Sequence, residues 1–284
     1  MMMNMPLFVR WLFGDCLITP AAAGLGAWWL PAMCRLPGLH QERAMQSSIP
    51  GPVTNHLIDS LSPQDRASFL ADCEAVDLAF GEVLTEPGGQ ILHVHFPLDC
   101  FISLIASLSD SERLEVAMVG SEGMYGMPLI LGLDESPLRA MVQGAGQVLR
   151  MPAAAFCRHL KQSPALKALL NRYLYVLMHQ LTRVAACTHF HQVEARLARW
   201  LLMTQDRAHS DRLHLTHEFL AMMLGVRRAG ITLAAVALQG RRLISYQRGD
   251  ITVLDRAGLI EAACGCYAAD RILYRRILIK EGSP

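Results

Sequence analysis

The chain has 284 residues, 52% of them hydrophobic, and a formal net charge of +1. That length suggests two domains more readily than one. Its eight cysteines (Cys16, Cys34, Cys73, Cys100, Cys157, Cys187, Cys264, Cys266) are scattered without framework spacing. This excludes a small disulfide-stapled scaffold and points to a reduced, cytoplasmic chain. Cys264 and Cys266 form a CxC pair, which reads either as two ordinary thiols or as half of a metal site completed from elsewhere. The charge distribution says more than the total. Residues 49–190 hold 9 Lys/Arg and 14 Asp/Glu, whereas residues 191–284 hold 14 and 9. An acidic front and a basic back are expected when only one part of a chain meets a polyanion.

In chain order, residues 1–48 read as an N-terminal extension. Its stretch LITPAAAGLGAWWLPAMC (17–34) is uncharged but marginal in length for a membrane span, and Pro20 and Pro31 make it a poor helix. Asp15 does not suit a signal peptide. Translation is expected to begin at Met45, upstream residues being an overlong gene reading, and no stable membrane association is expected. Residues 53–72 read as a short helix followed by a second opened by Ser62-Pro63. Between 76 and 152, β-branched and aromatic runs are broken by Glu86-Pro87-Gly88-Gly89, by Pro97 and by glycine-rich corners. That pattern argues for a β-roll or sandwich over 49–160.

After Pro152 the period becomes helical. Leu166, Leu170, Tyr173, Leu177, Leu181 and Val184 recur at steps of three and four, a seam for a dimerisation helix over 161–190. The same seam fits a helix packed on its own β-domain. HQVEARLARWLLMTQDR (191–207) is a further amphipathic helix.

LTHEFLAMMLGVRRAGITLAAVALQGRRLI (215–244) carries the functional signal. Thr216 suits an N-cap, with Glu218 in the first turn. Leu220, Met223 and Leu224 form an apolar face, Gly225 permits a tight turn, and Val226 is expected as a buried plug. A second helix starting near Arg227 turns Ile231, Ala234, Ala235 and Leu238 inward. Residues 242–255 read as a hairpin turning at Gln247-Arg248-Gly249-Asp250, and 255–267 as a last short helix. Helix, glycine turn, helix and hairpin make a winged helix-turn-helix over 191–284. In that geometry Arg227, Arg228, Ala229 and Thr232 face the major groove of double-stranded DNA. Thr216 and the first helix's N-terminus hold a phosphate, while Arg241, Arg242 and Arg248 reach flanking backbone.

Taken together, GEVLTEPGGQILHVHFPLDCFISLI, VGSEGMYGMPLILG, the long helix and the segment 215–244 make residues 50–270 resemble the Crp-Fnr family of bacterial transcription regulators. The resemblance implies an α+β chain with a cyclic-nucleotide-binding-like jelly roll, a dimerisation helix and a winged helix-turn-helix. It also implies a homodimer on an inverted-repeat operator and contact with RNA polymerase. Members that bind cyclic AMP carry Gly-Glu-Leu and then Arg-Ser; here the runs are Gly126-Met127-Pro128 and Leu138-Arg139-Ala140. The carboxylate is missing and the arginine is displaced by one position, which in a strand turns a side chain to the other face. Cyclic AMP is therefore expected to bind weakly or not at all; Gly126, Met127 and Arg139 remain the positions toward an effector of unknown identity.

Cys16, Cys34 and Cys73 lie too far apart for the family's iron-sulfur cluster. His93, His95 and His179 stay open as the axial ligand of haem-binding members, but ordinary hydrogen-bonded strand or helix histidines are the stronger reading, and no cofactor is assigned. Ala229 stands where the family carries a Glu after its Arg, implying a different operator. Two other readings stay open: a cupin-like metal-dependent enzyme built on His93 and His95 with Glu82 or Glu86, and a dimer module that does not bind DNA. No nucleophile triad, phosphate loop or HExxH pattern is present, so an enzyme is not expected.

Overall fold

The computed structural model describes residues 54–109 and 112–279. The N-terminal extension, with its apolar stretch, Cys16 and Cys34, lies outside them, as does the start expected at Met45. The described chain opens with α1 (His56–Asp59) and α2 (Pro63–Ala71). Ser62 caps α2 as expected, its Oγ accepting from the Asp65 amide at 3.1 Å.

Two antiparallel sheets follow. One has the order β1-β7-β3, from Glu74–Leu78, Gly146–Pro152 and His93–Pro97. The other has the order β2-β6-β4-β5, from Val83–Thr85, Arg139–Gly144, Phe101–Ser107 and Arg113–Val119. Inward residues of both sheets, among them Val94, Phe96, Ile102, Leu104, Val119, Ala140 and Met151, fill one core. Long-range pairing of this kind is what the period-2 runs between glycine corners require.

Ala153–Gln162 forms α3, and Pro164–Phe190 forms the 27-residue α4, capped by Ser163. Most of the predicted seam of α4 is covered by the chain's own core. Leu166, Leu170, Tyr173 and Leu177 are buried in the same core as the β-roll, with Leu181 half-buried against it and Val184 half-buried. For the four buried residues the dimer reading is corrected to the intrachain one: a three-four repeat specifies that a stripe is covered, not by which surface. The stripe left exposed runs through Asn171, Tyr175, Met178, Thr182, Ala185 and His189, with Met178 65% exposed.

A second core gathers the C-terminal elements: α5 (Val193–Ala208), β8 (Arg212–His214), α6 (His217–Leu224), α7 (Arg228–Gly240), β9 (Ile244–Gln247), β10 (Asp250–Val253) and α8 (Arg256–Ala262). The strands form a sheet of order β8-β10-β9. The helix expected over 255–267 is instead α8 followed by a separate α9 (Cys266–Leu278), which packs along α4 and sends Leu278 into the β-roll core. No single described helix is long and apolar enough to cross a membrane.

Candidate nucleic-acid interface

The α6–α7 pair is built by local chemistry. Thr216 Oγ1 accepts from the Phe219 amide at 3.1 Å and starts α6. Gly225, at φ 62, stops it; the Val226 amide reaches back to the Ala221 carbonyl at 3.0 Å, as a left-handed helix end does. A side chain at Gly225 would also press on Leu114. Three residues later α7 leaves at 107° to α6, within the range of helix-turn-helix pairs. Leu220, Met223, Leu224, Ile231, Ala234, Ala235 and Leu238 are all buried. Val226 packs against the second core but is half-buried, where the sequence suggested a buried plug. The buried Arg196 guanidinium donates to the Leu224 carbonyl, satisfying an acceptor that the helix end leaves open.

Arg227 is extended and stands at the N-cap of α7, which begins at Arg228. Arg227, Arg228, Ala229 and Thr232 are exposed. The same outward face carries Leu233 and Val236, 72% and 65% exposed, which sequence reasoning passed over because an apolar residue in an amphipathic helix reads as core. The Thr232 hydroxyl is already engaged, 3.0 Å from His217 Nδ1 and 3.2 Å from the Arg228 carbonyl, so it fastens α7 to α6. His217 in turn stacks on Tyr246 of β9, centroids 4.4 Å apart and planes within 11°. Its pKa is lowered, first by burial and then by the Arg228 charge. Neither His217 nor Tyr246 was singled out from sequence, since nothing in the chain order shows that 217 and 246 meet.

The β9–β10 hairpin turns at Arg248 and Gly249, with φ of 52 and 92, the two positive values a type I′ turn needs. Thr216, His217, Glu218, Arg228, Tyr246, Arg248 and Gly249 line one open groove, with Glu218 its one carboxylate. Three predicted residues from three elements, Thr216, Arg228 and Arg248, thus converge. Arg241 and Arg242 do not join them: Arg241 caps the opposite end of α7 and pairs with Glu194 at 3.2 Å, and Arg242 follows it, exposed.

The charge asymmetry is less of a surface property than the sequence suggests. Arg199 pairs with Asp270, Arg207 with Glu122 and Arg256 with Asp206, while Arg196 is held by Leu224. Among the described residues Arg227, Arg228, Arg242 and Arg248 enter no ion pair.

The effector positions are not assembled into one site. Gly126, at φ 103, leaves no room for a side chain beside Val94, and Met127 is buried in the β-roll core. Arg139 pairs with Glu86 at 3.4 Å and lines an outer groove with Arg113, while its neighbour Ala140 is fully buried. The displaced arginine is therefore on the outward face of β6, as its register implies. On the inner side of α4, the Tyr173 hydroxyl contacts both backbone groups of Met124 at 3.3 Å. The partly open pocket between β5, α4, α5 and α6 is about 50 Å³, too small for a nucleotide, whereas the outer groove at Arg113 and Arg139 is about 510 Å³. Among the described residues His93 and His95 belong to no group of metal-ligating side chains.

Residues 195–262 match the family model of the Crp-like helix-turn-helix domain. No curated protein matches the chain. Among solved structures, a transcriptional regulator of the Crp/Fnr family from Eubacterium rectale is similar with TM-score 0.57 at 18% identity, over 72% of this chain and 96% of that one. FixK2 from Bradyrhizobium japonicum gives 0.56 at 14%, over 68% and 98%. The c-di-GMP responsive regulator CLP from Xanthomonas campestris gives 0.54 at 17%, over 68% and 99%. At these identities the likeness to solved structures is one of fold.

Proposed function

We propose, from the premise that this chain is a Crp/Fnr-type transcription regulator with a Crp-like helix-turn-helix domain, that it binds an inverted-repeat operator as a homodimer. The observation that carries the reading is the groove in which Arg228, Arg248 and the capped N-terminus of α6 converge beside the exposed start of α7. Arg227 and Arg228 anchor phosphate or take guanine O6 and N7, and Arg248 grips the backbone from the wing. Ala229, Leu233 and Val236 offer only methyl groups to the groove floor, so base reading along α7 favours thymine methyls. Thr216 supplies a hydroxyl to phosphate, and Arg241 and Arg242 act on backbone beyond the groove.

The second copy docks on the exposed stripe of α4, where Asn171, Tyr175, Met178, Thr182 and Ala185 repeat at four and three. The protein acts in the cytoplasm, contacts RNA polymerase and performs no catalysis of its own. The β-roll senses an effector other than cyclic AMP, with Arg139 the anionic ligand's candidate partner.

The test is selection of bound fragments from a random DNA pool, with wild type and Arg227→Ala/Arg228→Ala in parallel and salt varied on every recovered site. An inverted repeat kept by wild type and lost by the double variant supports the proposal, and a steep salt slope identifies the phosphate contacts. No enrichment at any salt, with or without cell extract, refutes it.

A further inference from the structure

Cys187, His191, Cys264 and Cys266 come from two separate corners of the chain. Cys187 lies one turn before the end of α4 and His191 is its C-cap, so the two sit at i and i+4 on one face. Cys264 lies in the connector after α8, and Cys266 opens α9. The fold closes these corners onto one another. Cys187 Sγ is 3.5 Å from Cys264 Sγ, and Cys266 Sγ is 3.6 Å from His191 Nδ1. All four ligand atoms lie within 4.8 Å of one another.

From these atoms we infer a tetrahedral Cys3His site for a thiolate-seeking divalent cation, zinc, that clasps the α4–α5 corner to the α8–α9 connector. Zinc bound to sulfur at about 2.3 Å and nitrogen at about 2.0 Å sets neighbouring ligand atoms roughly 3.5–3.8 Å apart, close to the 3.5 and 3.6 Å of the two contacts. The donor set is soft and four in number, which selects zinc over magnesium or calcium. Three thiolates, one neutral imidazole and Zn2+ carry a net charge of −1. Arg196 and Arg199 line the same pocket as Cys187 and bring positive charge beside the site. Arg199 is itself oriented by Asp270 at 2.8 Å, and Asp270 by Arg183 at 2.7 Å, so the surroundings of the site are built.

The three cysteines are buried, and His191 is exposed, giving the cation an entry path. Binding releases the thiol protons to solvent and changes no oxidation state. The two CxC residues lie beyond residue 262, where the helix-turn-helix match ends. The clasp joins α4, packed on the β-roll core, to the helices that follow the DNA-binding elements.

The experiment uses the full chain, purified under reducing and oxygen-free conditions without a histidine tag, and reads metal rather than DNA. Elemental analysis is expected to find one zinc per chain. Exchange with Co2+ is expected to give thiolate-to-cobalt charge transfer and the intense visible bands of a tetrahedral ion. Cys187→Ser and Cys266→Ser should lose the zinc, Cys157→Ser should keep it, and the surface change His191→Gln should weaken retention against a chelator at least tenfold without altering the circular dichroism. A reduced, folded chain that holds no zinc and gives only the weak spectrum of six-coordinate cobalt overturns the inference. So does a Cys187–Cys264 disulfide in the isolated protein with no metal, or zinc retained in full by folded Cys187→Ser/Cys264→Ser.

Discussion

Glu115 offers a quantitative test of how the β-roll meets the helices. It lies on β5, is 7% exposed, and accepts from Trp200 Nε1 of α5 at 2.9 Å and from Ser103 Oγ of β4 at 2.6 Å. Burial raises its pKa to about 7, against opposing contributions from those two hydrogen bonds and from Arg207 and Arg199. In the unfolded chain the ordinary value is 4.5. Between those pH values the native protein holds a proton that the unfolded chain has released. Stability is fully present below pH 4.5, falls as pH rises to 7, and is flat above. A difference of 2.5 in pKa corresponds to about 3 kcal/mol.

Glu115→Gln keeps an acceptor for Trp200 and cannot ionise. The free energy of the variant relative to wild type should therefore climb by about 3 kcal/mol from pH 4.5 to pH 8, read by urea unfolding at each pH. The difference between the two proteins is the required quantity, because His95 titrates with the opposite sign in an overlapping interval. A difference that stays flat with pH would refute the reasoning, since it would mean that Glu115 is solvated or that Arg199 and Arg207 hold it ionised.

His95 is buried on β3, and burial first, then His93 and Arg150, lowers its pKa to about 4 from 6.5. Its neutral form is favoured by folding, so stability is lost as pH falls from 6.5 toward 4, and His95→Gln should flatten that acid limb by about 3 kcal/mol in urea titrations. Arg248→Gly should separate stability from function: relieving a left-handed arginine stabilises the wing by roughly 1 kcal/mol, while removal of its charge lowers operator affinity and the salt slope by about one phosphate contact. An unchanged slope would detach Arg248 from DNA. Gly123→Ala would drive a methyl into the Tyr173 hydroxyl. It should destabilise by about 1–3 kcal/mol, and Tyr173→Phe in the same chain should recover part of that loss in thermal melts; full tolerance would show that α4 can move off the β-roll.

The helix-turn-helix was legible in the chain because its determinants are local. Thr216 caps, Gly225 takes a positive φ, and the inward positions recur within two turns of one another, so neighbours in sequence are neighbours in space. The wing was legible for the same reason, through one two-residue turn. The β-roll was legible as a class of fold, but its register was not, and register decides that Ala140 faces inward and Arg139 outward.

Which surface covers α4 depended on tertiary packing. The helix carries two stripes at three-four spacing, one through Leu166 and Leu177 and one through Tyr175 and Met178, and periodicity alone does not say which the β-roll claims. The fate of the arginines was decided in the same way. Arg199 and Arg207 look like Arg227 and Arg228 in sequence, yet Asp270 and Glu122, 71 and 85 residues away, neutralise the first two and leave the second pair to solvent. Helix α9 and the Cys187–His191–Cys264–Cys266 cluster complete the pattern. Caps, turns and apolar periods are written within a few residues, whereas ion pairs and ligand sets exist only after chain closure brings distant residues within reach.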